Sequence, residues 1–137
     1  MADLLDKTTR ALASSANLRS LRQNVVTANI ANAETPGYTA KKLDFEQALG
    51  RALELDGIGS MKTTSEGHFI GGAGSMARVK ADTYDNPDAS INNDGNTVDL
   101  EREMSTLAEN SLLYKAAIQL INKKLAALKY AAGEGGR

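Results

Sequence analysis

The chain has no cysteine and no tryptophan, one histidine and two prolines in 137 residues. Without cysteine, disulfides, thiolate metal sites and cysteine nucleophiles are excluded, and nothing in the composition points to a redox compartment. The lone His68 excludes histidine-rich metal sites. Any Ser-His-Asp set would have to centre on it, and no Gly-x-Ser-x-Gly elbow accompanies it, so a surface or turn role fits it better. Aromatics are scarce too: Tyr38, Phe45, Phe69, Tyr84, Tyr114 and Tyr130 are all there are. That is a thin supply for a compact core. Sixteen Lys and Arg against seventeen Asp and Glu give a net charge of −1, which excludes the broad basic surface of a nucleic-acid binder. No apolar run is long enough to cross a bilayer, and Met1 to Lys7 carries acids where a cleaved signal peptide needs basic residues. The expected location is the cytoplasm, or outside it by a route that cleaves no signal.

What is present is Ala, Leu, Ile and Val, which carry most of a 42% hydrophobic share. Residues 1 to 32 and 98 to 132 contain neither Gly nor Pro, while the segment between holds nine of the twelve Gly and both Pro. Two helical ends therefore flank a loop-rich middle. In the C-terminal part Leu100, Met104, Leu107, Ser111, Tyr114, Ile118, Ile121, Leu125 and Leu128 alternate spacings of four and three, an unbroken heptad seam. Asp99, Glu101, Glu103 and Glu109 precede Lys115, Lys123, Lys124 and Lys129, the order that complements a helix dipole. Asp94-Gly95 reads as a turn before this helix, Thr97 or Asp99 as its N-cap, and Gly133 as its stop.

The N-terminal part repeats the period with smaller residues: Leu4, Lys7, Ala11, Ser14, Leu18, Leu21, Val25, Ala28 and Asn32. Leu5, Leu12, Val26 and Ile30 widen its stripe, so this helix is expected to touch more than one neighbour. The fold class is mainly α: two long terminal heptad helices paired as a coiled-coil shaft domain. The expected divisions are an N-terminal helix and corner (1–38), a middle region (39–97), a C-terminal helix (98–132) and a flexible tail (133–137). In the middle, Leu43 to Leu55 fits a short amphipathic helix, His68 to Ile70 and Met76 to Thr83 a small β-hairpin, and residues 84–97 a mobile loop. Two long helices alone leave apolar flanks such as Leu12, Val26, Leu113, Ala117 and Leu120 uncovered, which predicts self-assembly or a partner.

Two patterns invite a ligand and fall short. Gly72-Ala73-Gly74-Ser75-Met76-Ala77 fits the loose form GxGxxA, but the chain has no room for the doubly wound sheet that this fingerprint needs. Ser90 to Glu101 approaches a calcium loop through Asn92, Asp94, Gly95 and Glu101, yet Ser90 stands where Asp is normal and Pro87 where a helix should enter. A turn that leads into the C-terminal helix explains the same residues. No cofactor, metal or catalytic residue is expected.

The segment Asn29-Ile30-Ala31-Asn32-Ala33-Glu34-Thr35-Pro36-Gly37-Tyr38 has richer content. Pro36 cannot continue a helix and pushes Thr35 out of helical angles, and Pro-Gly at the central positions suits a type II turn. Asn29 and Asn32 share one face of the last helical turn, where an amide can fix register or bond to backbone.

This segment resembles the motif Asn-Ile-Ala-Asn-x-x-Thr-Pro-Gly-Tyr that ends the N-terminal helix of the rod and hook axial proteins of the bacterial flagellum. Small size, Asp94 to Glu101 with Glu103-Met104, and Asn110-Ser111-Leu112-Leu113-Tyr114 are most similar to the proximal rod members. The Arg-Ala-Tyr-x-Ala-Asn pattern usual in other rod proteins is missing. The resemblance covers both helical ends. It implies a structural, non-enzymatic subunit of the basal-body rod, exported through the flagellar type III apparatus, with termini that order on assembly. The partners implied are further copies, other rod proteins and the adaptor at the rod base, in the periplasmic space. Leu18, Leu21, Val25, Leu100, Leu107, Tyr114, Ile118, Ile121 and Leu125 are the expected subunit-packing residues, and Asn29, Asn32, Thr35, Pro36, Gly37 and Tyr38 the corner and register motif. The readings outside this family are a soluble coiled-coil adaptor or a calcium-responsive regulator.

Overall fold

A computed structural model describes residues 6–55 and 79–134. In chain order these form α1 (Lys7–Ala31), β1 (Lys41–Asp44), α2 (Glu46–Leu55), β2 (Asp82–Asp85) and α3 (Leu100–Glu134). Asp6 caps α1: its carboxylate accepts from the Thr9 amide at 2.8 Å and the Thr9 hydroxyl at 2.7 Å. Asp99, not Thr97, caps α3, accepting from the Arg102 amide at 3.1 Å. With 35 residues at about 1.5 Å each, α3 is a rod of about 50 Å. It includes Gly133 and so outlasts the expected stop, a cost of about 1 kcal/mol against alanine that the long helix before it absorbs.

The two long helices pack as an antiparallel pair. Lys124 pairs with Asp6 at one end, the Asn110 amide donates to the Arg19 carbonyl at 2.8 Å in the middle, and Glu103 lies beside Asn29 at the other end. Expected seam and observed seam differ. On α3 Asn110 and Ala117 are buried and Glu103, Thr106, Leu107, Ser111, Tyr114, Ile118, Ile121 and Lys124 are half-buried, whereas Leu100, Met104, Leu125 and Leu128 are exposed. On α1 the buried positions include Thr9, Ala16, Val26 and Asn29, and Leu21 is exposed. Both helices keep a heptad period but present a neighbouring stripe.

An adjoining side of α1 carries the small core. Leu18 packs with Leu43 and Phe45, and Val25, Leu49, Val79 and Ala81 surround them. Leu18 and Val25 thus serve the chain's own interior, and α1 does touch several neighbours. β1 and β2 pair antiparallel with Leu43 opposite Thr83. Helix α2 begins at Glu46 rather than Leu43, because Leu43 and Asp44 extend into β1 and the Phe45 carbonyl accepts from the Leu49 amide at 2.9 Å. The expected hairpin is met in part by this small two-stranded antiparallel sheet. Its described strand, β2, pairs with β1 across the middle region, while His68 to Ile70 and Met76 to Arg78 lie outside the described residues, as does the GxGxxA pattern. Among the described residues no helix is long and apolar enough to cross a membrane.

Candidate functional site: a corner clasp and an apolar helix face

The end of α1 forms a tight corner. Asn32 is its C-cap: the Asn32 amide bonds back to the Ala28 and Asn29 carbonyls at 3.2 and 3.0 Å, and its side chain donates to the Ala28 carbonyl at 2.8 Å. The Thr35 hydroxyl donates to Asn32 Oδ1 at 3.1 Å. The Tyr38 amide donates to the Thr35 carbonyl at 3.3 Å with Gly37 at φ +71, which is the expected type II turn.

Asn29 is fully buried and has partners on every side. Its Nδ2 donates to the Lys41 carbonyl at 2.7 Å. Its Oδ1 accepts from the Lys41 amide at 3.0 Å and the Tyr38 hydroxyl at 3.2 Å. One amide thereby ties α1 to the corner and to the strand after it. Pro36, Gly37 and Thr35 stay exposed.

The segment before α3 closes onto this corner, and here lies a residue the sequence did not single out. Asn96 is fully buried, and its Nδ2 lies 2.9, 3.0 and 2.8 Å from the carbonyls of Asn32, Ala33 and Thr35. Its two hydrogens are shared among three carbonyls at the frayed end of α1, groups that the helix itself leaves without partners. Asn96 Oδ1 accepts from the Val98 amide at 2.7 Å. Around it, Gly37 donates to Asp94, Thr97 to Tyr38, and Ala40 to the Thr97 hydroxyl, at 3.0, 3.0 and 2.8 Å. Gly95 sits at φ +78, its α-carbon side facing Gly37. The local signal was Asp94-Gly95-Asn96 as a turn; its target is over 60 positions away. Residues 94–97 are therefore pinned, not a mobile loop, and Tyr84 and Asp85 belong to β2. The Asp94 carboxylate accepts from the Asn96 amide at 3.0 Å and Asp99 caps α3, so the calcium-like pattern is spent on the clasp. Among the described residues no three His, Asp or Glu side chains converge as a metal site.

A second residue beyond sequence reasoning is Arg22. It grips both oxygens of Glu46 at 2.5 and 2.6 Å, donates to the Leu43 carbonyl at 2.9 Å and lies 4.5 Å from the Phe45 ring centre. Burial pulls the Glu46 carboxyl upward, but the bonds from Arg22 and from the Glu46 and Phe45 amides outweigh it and hold it below the usual range.

The other expected packing residues divide by exposure. Leu107, Tyr114, Ile118 and Ile121 are half-buried, and Leu100 and Leu125 are exposed. A corner motif at the end of a helix pair, with an apolar outer face, has the form of a structural scaffold.

The comparisons agree with that geometry. A family model described as "Flagella basal body rod protein" matches residues 10–39, most of α1 and the corner. The flagellar basal body rod protein FlgB of Aeromonas hydrophila is 39% identical over 112 residues, 82% of each chain. The chain belongs to the FlgB family of flagellar basal body rod proteins. FlgB of Salmonella typhimurium is 38% identical over 130 residues, 91% of this chain and 92% of its own. FlgB of Cereibacter sphaeroides strain ATCC 17029 is 42% identical over 111 residues, 81% of this chain. As a member of this family the chain is a structural component of the flagellar rod, and the coiled-coil adaptor and calcium-regulator readings fall away.

Proposed function

We propose that the chain is a non-enzymatic subunit at the proximal end of the rod, held to its neighbours by the outer face of α3 and transmitting torque through packed helices. The observation that carries this is the large apolar surface left on one long helix: Leu112 is 69% exposed, Leu120 50% and Met104 57%. A monomer rarely leaves such a stripe uncovered along one element. In this reading Leu21, Leu100 and Leu125 complete the intersubunit surface, and the partners are further copies, other rod proteins and the basal adaptor. Export without a cleaved signal through the type III apparatus, to the periplasmic span of the rod, completes the proposal.

The test is Leu112→Ser with Leu120→Ser in the full chain. Both side chains are exposed, so the melting midpoint of the free protein should hardly move, while swimming and the assembled rod are lost. Normal motility with normal rods would overturn the assignment of this face.

A further inference from the structure

The inner face of α3 is less apolar than a neighbouring one. Leu107, Tyr114 and Ile121 belong to both the expected and the observed seam. The choice lies between two files of side chains that flank them at seven-residue spacing: Met104, Ser111, Ile118 and Leu125, or Glu103, Asn110, Ala117 and Lys124. On apolar area the first file should be buried. The structure sets the second deeper: Asn110 is 2% exposed and Ala117 6%, with Glu103 and Lys124 half-buried, whereas in the first file Met104 is 57% exposed and Leu125 45%, with Ser111 and Ile118 half-buried. Half of the 100° between successive residues separates the two arrangements, a rotation of α3 of about 50°.

Each polar member of the chosen file has a specific partner on α1. Glu103 lies beside Asn29, Asn110 donates to the Arg19 carbonyl at 2.8 Å, and Lys124 pairs with Asp6. These contacts sit at the two ends and the middle of the pair. Asn110 Oδ1 is buried without a hydrogen-bond partner, so this arrangement gives up stability that an apolar residue would keep. A buried amide that costs stability while fixing helix register is known from coiled coils.

We infer that the polar file Glu103, Asn110 and Lys124 selects the rotation of α3 on α1, and so keeps Met104 and Leu125 facing outward. Without the file, the pair would turn to bury Met104 and Leu125. The outward file serves assembly only under the packing proposed above; the rotation itself is a property of the free chain and is measured there.

The absence of cysteine makes the test clean. Met104→Cys and Ala117→Cys are made singly in the full chain, and their labelling rates with a thiol reagent are compared. With the polar file intact, position 104 should label at least tenfold faster than 117. With Glu103, Asn110 and Lys124 all changed to Ala, the order should invert; an unchanged ratio would show that steric fit to α1 sets the rotation and would overturn the inference. If circular dichroism shows that the triple variant has lost its helices, the Asp6→Lys and Lys124→Asp exchange decides. Either single change should narrow the ratio and the double exchange restore it, and a ratio that neither single change moves overturns the inference equally.

Discussion

The side-chain amide of Asn96 closes the end of a helix that finished 64 positions earlier, at the Asn32 carbonyl 2.9 Å away. Through that contact the start of α3 is fixed to the end of α1, and the hairpin of long helices acquires a rigid base. Replacing Asn96 by Ala leaves the carbonyls of Asn32, Ala33 and Thr35 short of a donor in a buried place, and should cost about 1–3 kcal/mol. Asn96→Asp should cost more, since it brings a carboxylate against three carbonyl oxygens. Urea unfolding followed by circular dichroism measures both, and equal stability for the two variants would contradict this geometry.

Gly37 should tolerate substitution in order of left-handed propensity, not of size. A Cβ at Gly37 meets nothing within 4 Å, so the only penalty is the backbone at φ +71. Gly37→Asn should be mild, Gly37→Ala should cost about 1 kcal/mol and Gly37→Val about 2 kcal/mol or more. Thermal midpoints give the ranking. Motility should fail in the valine variant while its export continues.

Arg22→Lys should not be conservative. Lysine offers one point charge where the guanidinium grips two oxygens of Glu46, reaches the Leu43 carbonyl and lies over Phe45. Glu46 is half-exposed, so the loss should be about 1–2 kcal/mol rather than that of a buried pair. Hydrogen exchange should show it locally, as faster exchange in β1 and α2 with α3 unchanged.

The pH dependence should have two opposed parts. Lys124 foremost, then Thr9, holds the Asp6 carboxyl well below the usual carboxylate range, and Glu46 is likewise low. Their contribution is full above the ordinary carboxylate pKa of about 4 and is lost as pH falls through the lower native values. Glu103 is the reverse: burial raises it, with Asn29 and Arg102 opposing and Asp99 adding. Its contribution is full at low pH and is lost as pH rises through its native value. Melting curves should therefore show a gain on mild acidification that Glu103→Gln removes, then a loss below about pH 4 that Asp6→Asn and Glu46→Gln flatten. Salt should weaken the Asp6–Lys124 part first, since Asp6 is exposed and Lys124 is only half-buried.

Local chemistry accounts for what was legible in the residues. The heptad periods located both helices, and Pro36-Gly37 specified its turn because the two residues restrict their own backbone. Asn29 and Asn32 were visible as amides at a helix end. Strand β1 was not legible, because the four residues of Lys41 to Asp44 carry little period and sit against a helical pattern that starts at Leu43.

The sequence by itself determined that two long amphipathic helices flank a corner. Tertiary structure alone decided which stripe of α3 turns inward, that Leu18 and Val25 serve an internal core, and that Asn96 and Arg22 are structural anchors. The reason is physical: a period fixes how residues repeat around a helix but not the rotation of that helix against its partner. That rotation, and the partners of Asn96 and Arg22, depend on groups 21 to 64 positions distant, which no local pattern encodes.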